Sequence, residues 1–468
     1  MVEFSHQSVI ERGSCCALVP GRPAHCTSMP LNVAGLGVVA VAALLNGVFP
    51  LGLKFLNGWE WENAWLIYTL FGTLILPWSL IAASIPSAFE VLSGAPLHEV
   101  LMSAGFGFGW GVGGVLFGIC VDLVGNALTF AIVLGLTSCI GSLVPFVIEH
   151  PDELRSTQAL FNYAALAIVV VSLVFISVAG TFKDKQQREA LEELLDGGMT
   201  TTLLDSVVET DDSAVVDAES SSKRSSKHSS SSSSSSSGKV ALGLILCVIS
   251  GLFSPLLNFP LAFCTELPAR AREYGASKVM APNTVWALAL LFGMIPNALY
   301  PAFLLVKRGT WRNFCRCCSP GFRTSVTASE FQLLTSKAIA KKLFVQDIVN
   351  LFTSAMMGLL WFSANILYSV GAEMLGPEGP IIGWAIFICG MILVANVFGF
   401  ILNEWKGTQS WTKLVQVFGL VLVCSAIVCL SLAGYYAVPV ATTNAPTMTP
   451  SNVTLEASLG KSVSVNTM

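Results

Sequence analysis

Charged residues are scarce in this chain of 468 residues: they make up 12% of it, against about 25% in an average soluble domain. Hydrophobic residues make up 53%, and the mean hydropathy is +0.69. These values exclude a string of soluble domains and predict an integral membrane protein that crosses the lipid many times. The net charge of −4 gives no electrostatic support for a nucleic-acid partner.

Histidine is also scarce, and the positions of the five histidines argue against a metal or haem site inside the membrane. All of them lie outside the apolar runs or at their ends. The 13 cysteines form no zinc-binding or secreted-disulfide spacing. The hydrolase motifs Gly-x-Ser-x-Gly and His-Glu-x-x-His do not occur, so hydrolysis has no candidate catalyst. We therefore expect neither a cofactor nor an enzymatic activity. The histidines are His6, His25, His98, His150 and His228.

Ten apolar stretches are each long enough to cross the hydrocarbon core as a helix, which takes about 20 residues. Helices are the only spanning structure that fits, because the alternating pattern of a membrane barrel is absent. The gaps after the third and eighth stretches are short and predict tight hairpins. The stretches are 33–53, 64–85, 101–121, 125–147, 160–181, 240–263, 280–305, 345–369, 381–402 and 414–436.

A hydrophilic segment divides the ten stretches into two groups of five. It ends in the unbroken serine tract from Ser229 to Ser237, and such a composition cannot bury enough apolar surface to offset the entropy of ordering. The predicted regions are an N-terminal tail (1–30), a first five-helix repeat (31–181), a disordered Ser-rich cytosolic loop (182–238), a second five-helix repeat (239–437) and a C-terminal tail (438–468).

The orientation follows from the basic residues, which concentrate on the cytosolic side of membrane proteins. Most of the 25 lysines and arginines lie in the odd-numbered connections, so the serine tract is predicted to be cytosolic and both termini to lie opposite. Asn452 begins an Asn-Val-Thr sequon in the C-terminal tail, which agrees with this placement and predicts a glycosylated residue. Whether the membrane is the plasma membrane or an endomembrane is left open.

The two groups of five stretches carry matching motifs. The third and eighth share an aromatic, acidic and glycine pattern at identical spacing, and Asn46 to Pro50 in the first resembles Ser250 to Pro255 in the sixth. Because five is odd, the second group enters the membrane from the opposite side. The sequence therefore predicts an inverted-topology repeat, the architecture of alternating-access transporters. The matched residues are Trp110, Phe117, Asp122 and Gly125 in the third stretch and Trp361, Tyr368, Glu373 and Gly376 in the eighth.

Five short segments, taken in order, resemble the bacterial L-rhamnose–proton symporter family of the drug/metabolite transporter superfamily. The likeness covers about 35–180 and 240–437 and omits both tails and the serine-rich loop, which suggests a eukaryotic member. The resemblance implies a ten-helix sugar carrier that is coupled to protons. The segments are WENAW (61–65), ILPW (75–78), FGFGWGVGG (106–114), GLFSPLLNFPLAF (251–263) and LNEWKG (402–407).

Polar and aromatic residues within the spans are the candidate sugar-binding groups, since polar groups inside a bilayer are costly and usually functional. Trp361, Asn365 and Tyr368 share one helical face, where a ring can pack on the C–H side of a sugar while an amide and a phenol bond its hydroxyls. Interhelical hydrogen bonding is the alternative reading of each residue taken alone. The complete set is Asn46, Trp110, Phe117, Ser250, Asn258, Trp361, Asn365 and Tyr368.

Proton coupling requires a titratable group whose proton affinity changes with conformation. The stretches contain no acidic residue at mid-span, so the candidates come from their ends: Asp122, Glu373 and Glu266. Asp122 and Glu373 have the further merit of being repeat mates.

Two other classes of function remain open. A nucleotide-sugar or other metabolite exchanger should direct basic residues into its cavity to meet phosphate, but apart from Lys54 every lysine and arginine lies in a loop or at the edge of a span. A receptor or scaffold is favoured only by the long loops. The predicted partners are thus a small neutral solute, most readily a sugar, together with protons and the lipid bilayer.

Overall fold

The computed structural model describes residues 32–196, 233–318 and 330–437, and within these ranges the chain is helical and contains no strand. Asn452 and residues 197–232, which include the start of the serine tract, lie outside the described residues. The α-helices are α1 (Val33–Val48), α2 (Trp61–Thr69), α3 (Leu76–Ser84), α4 (Ala88–Ser93), α5 (Leu97–Val124), α6 (Asn126–Glu149), α7 (Thr157–Asp196), α8 (Ser233–Phe253), α9 (Phe259–Phe263), α10 (Glu266–Glu273), α11 (Asn283–Arg308), α12 (Glu330–Leu375), α13 (Trp384–Ile401) and α14 (Ser410–Tyr435).

Short 3-10 and π-helical segments join several of these helices into longer units. A 3-10 helix extends α1, and a π-helical segment joins α2 to α3. A 3-10 turn and a π-helical segment connect α12 to α13, and a 3-10 helix joins α8 to α9. In chain order these segments are Phe49–Phe55, Leu70–Ile75, Ser254–Leu257, Gly376–Glu378 and Gly379–Gly383.

Nine helical units of the described residues are long and apolar enough to span a membrane, whereas the sequence predicts ten stretches. The difference lies in the unit Lys341–Ile401, which contains both the eighth and the ninth predicted stretch. The predicted hairpin between them is bridged by the 3-10 and π-helical segments, so helical structure continues across the turn.

The helix α7 corrects one predicted boundary. It continues to Asp196, so residues 182–196, which the sequence assigns to the disordered loop, are helical. This extension is bonded to the connection between α13 and α14 and to the first turn of α14. Gln187 donates to the Glu404 carbonyl at 2.7 Å, and Gln186 donates to Thr412 Oγ1 at 3.0 Å. Tertiary hydrogen bonds thus stabilise a segment that would be too polar to fold alone.

The helices pack in pairs that fix the centre of the bundle. α5 packs along α11 and α8, α1 packs along α12 and α13, and α7 packs along α14. Many large apolar side chains remain exposed on the outer faces, among them Leu44, Val170, Leu299 and Val421, which is the pattern of helices that face lipid.

The bundle has two ends, each held by polar contacts. At the end where α1 begins, here called the distal end, Asn32 donates to the Met374 carbonyl at 3.0 Å and Lys278 pairs with Glu373. At the opposite end, here called the loop end, α7 terminates and Lys54 pairs with Glu404. The sequence predicts that the loop end faces the cytosol.

Candidate functional site

Two tryptophans from the matching motifs contact each other between two helices of the bundle. Trp110 on α5 and Trp361 on α12 stack with ring centroids 5.5 Å apart and planes 18° apart. The edge of Tyr68 on α2 meets Trp361 at 5.8 Å. The structure therefore brings the two predicted walls of the sugar site together, and in this conformation the rings contact each other directly.

Glycines allow the helices to approach closely enough for this stack. A Cβ atom built on Gly293 of α11 would meet the Trp110 ring at 2.7 Å and the Gly107 carbonyl at 2.8 Å. At the other crossing, a Cβ atom on Gly72 would meet the Trp361 ring and the Gly358 carbonyl, each at 3.3 Å. Each tryptophan therefore lies against a glycine of the helix that crosses its own.

Further aromatic rings extend from the tryptophan pair toward the loop end. Trp65 lies 4.7 Å from Tyr68, Trp61 stacks on Trp65 at 5.0 Å, and Phe49 stacks on Tyr68 at 5.4 Å. The tryptophans of the WENAW segment are not among the predicted site residues. Their spacing could have indicated a site, because Trp61, Trp65 and Tyr68 lie on one face of a helix.

The structure brings the predicted site residues Tyr368 and Asn258 together, but their polar groups bond each other. The Tyr368 hydroxyl donates to Asn258 Oδ1 at 2.6 Å, and the Asn258 amide donates to the carbonyls of Gly141 (3.1 Å) and Pro380 (2.8 Å). Both residues are fully buried. This network joins the start of α9 to α6, α12 and the π-helical segment, and leaves the Asn258 amide without a free donor.

The remaining polar candidates differ in how many of their side-chain hydrogen bonds are made within the protein. Ser250 is buried and donates to the Gly113 carbonyl at 2.8 Å. Asn365 donates to the Trp361 carbonyl at 2.7 Å within its own helix, and its side-chain oxygen accepts no bond from the described residues. Asn46 is 6% exposed, and among the described residues its amide has no hydrogen-bond partner. Asn46 and Asn365 therefore keep hydrogen-bonding capacity for a ligand.

Phe117 is the candidate that the structure places elsewhere. Its ring meets Phe130 at 5.0 Å and belongs to a separate cluster with Cys120, Val133 and Cys247. Asn297 on α11, which sequence reasoning did not select, is 5% exposed and lies against Gly114 on the Trp110 helix. Its isolation in an apolar stretch between two prolines was the signal that could have singled it out.

The three predicted proton-coupling acids lie at the ends of the helices. Asp122 is exposed at the end of α5. Glu373 forms an ion pair with Lys278 at 3.6 Å, and Glu266 lies 3.7 Å from His98 with 61% of its side chain exposed. The structure does not bring these three carboxylates together.

Buried carboxylates occur at positions that the sequence analysis did not select. Glu62 is fully buried and accepts from Arg308 at 3.1 Å and from Thr310 at 2.8 Å. Glu99 is 2% exposed and accepts the backbone N–H groups of Glu266 and Leu267, at 2.7 and 2.6 Å, at the start of α10.

Glu378 is a further carboxylate that the sequence analysis passed over. It lies in the turn between α12 and α13, 3.5 Å from His150, and accepts from Gln158 at 2.5 Å. Its signal in the sequence is the Gly-Pro-Glu-Gly-Pro segment, where an acid is confined between helix-breaking residues in an otherwise apolar region.

The described residues contain no group of histidine, cysteine and acidic side chains that could hold a metal ion. The site therefore combines stacked rings, a few uncommitted amides and small residues at the helix crossings. This combination suits a small neutral ligand with apolar C–H faces and hydroxyl groups.

Comparison with known proteins gives a consistent answer. Residues 32–265, half of the chain, match the family model described as L-rhamnose-proton symport protein. Proteins named L-rhamnose-proton symporter from Mannheimia succiniciproducens and Citrobacter koseri are 21% and 22% identical to the chain, over 84% and 82% of its length and 96% and 93% of their own. One from Yersinia pestis is 22% identical over 86% of this chain and 99% of its own length. No solved structure matches the chain significantly.

Proposed function

Because the chain belongs to the L-rhamnose-proton symport protein family, we propose that it carries a small neutral sugar of the rhamnose kind across a membrane together with protons. It is a multi-pass integral membrane protein and not an enzyme. The observation that carries the proposal is the near full-length similarity to relatives named for this transport. The chemistry of the central site agrees with it.

The transport unit in this proposal is a ten-span inverted repeat of five plus five helices. The packing of glycines supports it: Gly72 lies against Gly358 and Trp361 as Gly293 lies against Gly107 and Trp110. In each crossing a glycine faces a glycine carbonyl and the tryptophan three residues further along the chain. An inverted repeat requires such matching contacts in its two halves.

The helix ends give independent support for the repeat. Gly125, which separates α5 from α6, has a φ angle of 85°, and Gly376, at the end of α12, has a φ angle of 76°. Both φ angles are positive, which favours glycine. The two residues hold matching positions in the repeated motif, and their shared positive φ angle supports the proposed repeat.

We assign the sugar site to the tryptophan pair and its uncommitted amides. Trp110 and Trp361 would separate to admit the ring, each covering one C–H face, while Asn365 and Asn46 bond hydroxyl groups. In this assignment the other polar candidates do not bind the sugar but fix the surrounding helices through hydrogen bonds; they are Ser250, Asn258 and Tyr368. The site is collapsed in the present conformation because the rings fill the space between them.

The rival functions receive less support. A nucleotide-sugar exchanger would need cationic side chains at the site, whereas the tryptophan pair packs in a cluster of aromatic and aliphatic side chains. A receptor or scaffold would need no helix crossings of matched geometry. Neither reading is suggested by the names of the relatives.

Transport by the purified protein in liposomes tests the proposal. With the outside made acidic, radiolabelled L-rhamnose should accumulate inside above the external concentration, and a proton ionophore should abolish the accumulation but not the equilibration. Protein-free liposomes serve as the control, and an excess of a nucleotide sugar should not compete. Absence of both uptake and counterflow of L-rhamnose would show that this sugar is not the substrate.

A further inference from the structure

A cluster of titratable side chains lies at the distal end, outside the candidate sugar site. Glu378 lies 3.5 Å from His150 Nε2, and His150 Nδ1 lies 3.9 Å from Glu153. Gln158 donates to Glu378 at 2.5 Å. The imidazole is 8% exposed and the Glu378 side chain 14%, so the pair is largely removed from solvent.

The other strongly buried glutamates have partners that cannot exchange a proton. Glu62 is bound by Arg308, a permanent cation, and by a hydroxyl group. Glu99 is bound by two backbone N–H groups. The partner of Glu378 is a histidine, the side chain that changes charge near neutral pH. Glu378 and His150 can therefore exist as a charged pair or hold an additional proton.

Gln158 can serve both protonation states of Glu378. It is fully buried, its amide N–H bonds the carboxylate, and its side-chain oxygen has no hydrogen-bond partner. When Glu378 takes up a proton, the carboxyl O–H becomes a donor, and rotation of the Gln158 amide by half a turn presents an acceptor. No other charged group on α12, α13 or α14 lies within ion-pair distance of Glu378 among the described residues.

The segment that carries Glu378 also contacts the helices of the sugar site. Two residues beyond Glu378, the Pro380 carbonyl accepts from Asn258, whose side-chain oxygen accepts from Tyr368. Tyr368 lies on the same helix as Trp361. A change of charge at Glu378 would change the force that holds residues 376–383 against α6 and α7, and the hydrogen bonds of Asn258 connect this segment to α9 and α12.

We propose that Glu378, paired with His150, is the proton-binding group of the transport cycle, an inference that rests on the proposed proton-coupled function. A proton from the distal solution binds the Glu378 carboxylate and gives a neutral acid. The neutral acid is no longer attracted to the imidazolium form of His150, and this loosens the contact of residues 376–383 with α6 and α7. The proton is released on the opposite side after the carrier has reoriented, and the carboxylate is restored.

The test uses Glu378→Gln in liposomes, which removes the proton-binding group but keeps the size of the side chain. Counterflow of L-rhamnose without a proton gradient should persist. Accumulation driven by an acidic exterior should fall to equal concentrations on both sides, and the internal acidification that accompanies uptake should vanish. Asp152→Asn, an exposed acid next to Glu153, is the matched control and should keep all three activities.

The results separate the inference from the function on which it rests. If Glu378→Gln accumulates L-rhamnose as the unsubstituted protein does, Glu378 is not the proton-binding group, while the symport function stands. If the unsubstituted protein shows counterflow but no accumulation, proton symport itself is wrong and the inference falls with it. Loss of coupling in Asp152→Asn as well would overturn the assignment to Glu378.

A measurement on the unsubstituted protein covers the case in which Glu378→Gln does not fold. Dicyclohexylcarbodiimide modifies protonated carboxyl groups in apolar surroundings, and mass spectrometry locates the product. Because the reagent modifies only the protonated carboxyl group, we expect modification of Glu378 that decreases as the pH rises. Absence of modification at Glu378, or an extent that does not change with pH, would refute the proposal.

Discussion

Trp361 is held in place by aromatic side chains from two other helices. Trp110 covers one of its faces and Tyr68 meets it edge-on, and only 6% of Trp361 is exposed. Truncation to alanine would leave a cavity and cost about 3–5 kcal/mol of stability. Phenylalanine is the better probe, because it keeps an aromatic wall but reduces the ring surface that a sugar can cover.

We expect Trp361→Phe to raise the half-saturation concentration for L-rhamnose roughly two- to tenfold. The expectation follows from the worth of an aromatic contact, about 0.5–1.5 kcal/mol beyond its area. Initial rates of uptake into liposomes measure the change. Trp286→Phe is the control, since Trp286 is also buried but lies on α11 outside the proposed site. Equal half-saturation in both variants would mean that Trp361 only packs helices.

Buried asparagine side chains have two different roles in this protein, depending on whether their amide groups are bonded to other residues. Asn258 uses its amide and its carbonyl oxygen on three protein partners, whereas Asn46 has none among the described residues. A fully bonded amide stabilises the arrangement of helices, and leaving its partners unsatisfied costs about 1–3 kcal/mol. An unbonded amide at the same depth is costly to the protein unless a ligand or water bonds it.

Among the helices, the crossing of α5 and α11 depends on the absence of side chains. A Cβ atom on Gly107 would overlap the Ala289 carbonyl, whereas a Cβ atom on Gly105 would have no atom within 4 Å. These two glycines stand two residues apart on the same helix but on different faces. Small residues of this kind let backbones approach closely inside a membrane, where no hydrophobic force drives helices together.

Gly107→Ala is therefore expected to lower the thermal stability of the purified protein, whereas Gly105→Ala should preserve or raise it. Overpacking at the crossing should cost about 1–3 kcal/mol, and alanine at the open position gains up to about 1 kcal/mol of helix propensity. Thermal unfolding in detergent measures both. Equal destabilisation by the two substitutions would contradict the close approach of α5 and α11.

The helix α7 is longer than the apolar stretch that can span the membrane. Its polar extension is held by the connection between α13 and α14, where Glu404 lies close to Lys54 and Lys183. These contacts join the 3-10 extension of α1, the helix α7 and the connection after α13 at the loop end. A span alone would end near residue 181, since the residues that follow are charged and gain nothing from lipid.

At the level of the whole protein, the loop end and the distal end must face opposite compartments. The distribution of basic residues predicts that the loop end is cytosolic and that the sequon at Asn452 is on the other side. The proton-binding cluster at the distal end would then meet the non-cytosolic solution. The orientation of the molecule consequently sets the side from which protons enter.

We expect Asn452 to carry a glycan and a cysteine placed at Ser230 to be accessible only from the cytosol. Expression in eukaryotic cells should give a band that a glycosidase shifts, and Asn452→Gln should remove the shift. Ser230→Cys should react with a membrane-impermeant thiol reagent after permeabilisation and not in sealed cells, with Ser230 unchanged as the background control. Reaction in sealed cells would reverse the predicted orientation.

The membrane spans and the family resemblance follow from the composition and pattern of the sequence, because they do not depend on which residues meet in the folded protein. Lipid requires long apolar helices, so hydropathy predicts the spans. The repeated spacing that starts at Trp110 and Trp361 singles out two residues whose rings contact each other in the structure. The family resemblance was likewise visible in short ordered motifs and is confirmed by the family model.

Other features depend on contacts between residues far apart in the chain, which local pattern does not encode. Glu378 contacts His150 and Gln158, which lie more than 200 residues earlier in the chain, and Phe117 packs against Phe130 and not in the tryptophan pair. The turn after Leu375 remains helical because backbone hydrogen bonds of another type replace those of the α-helix. Burial and partner choice, and hence which polar groups stay free for a ligand, were decided only when the helices packed.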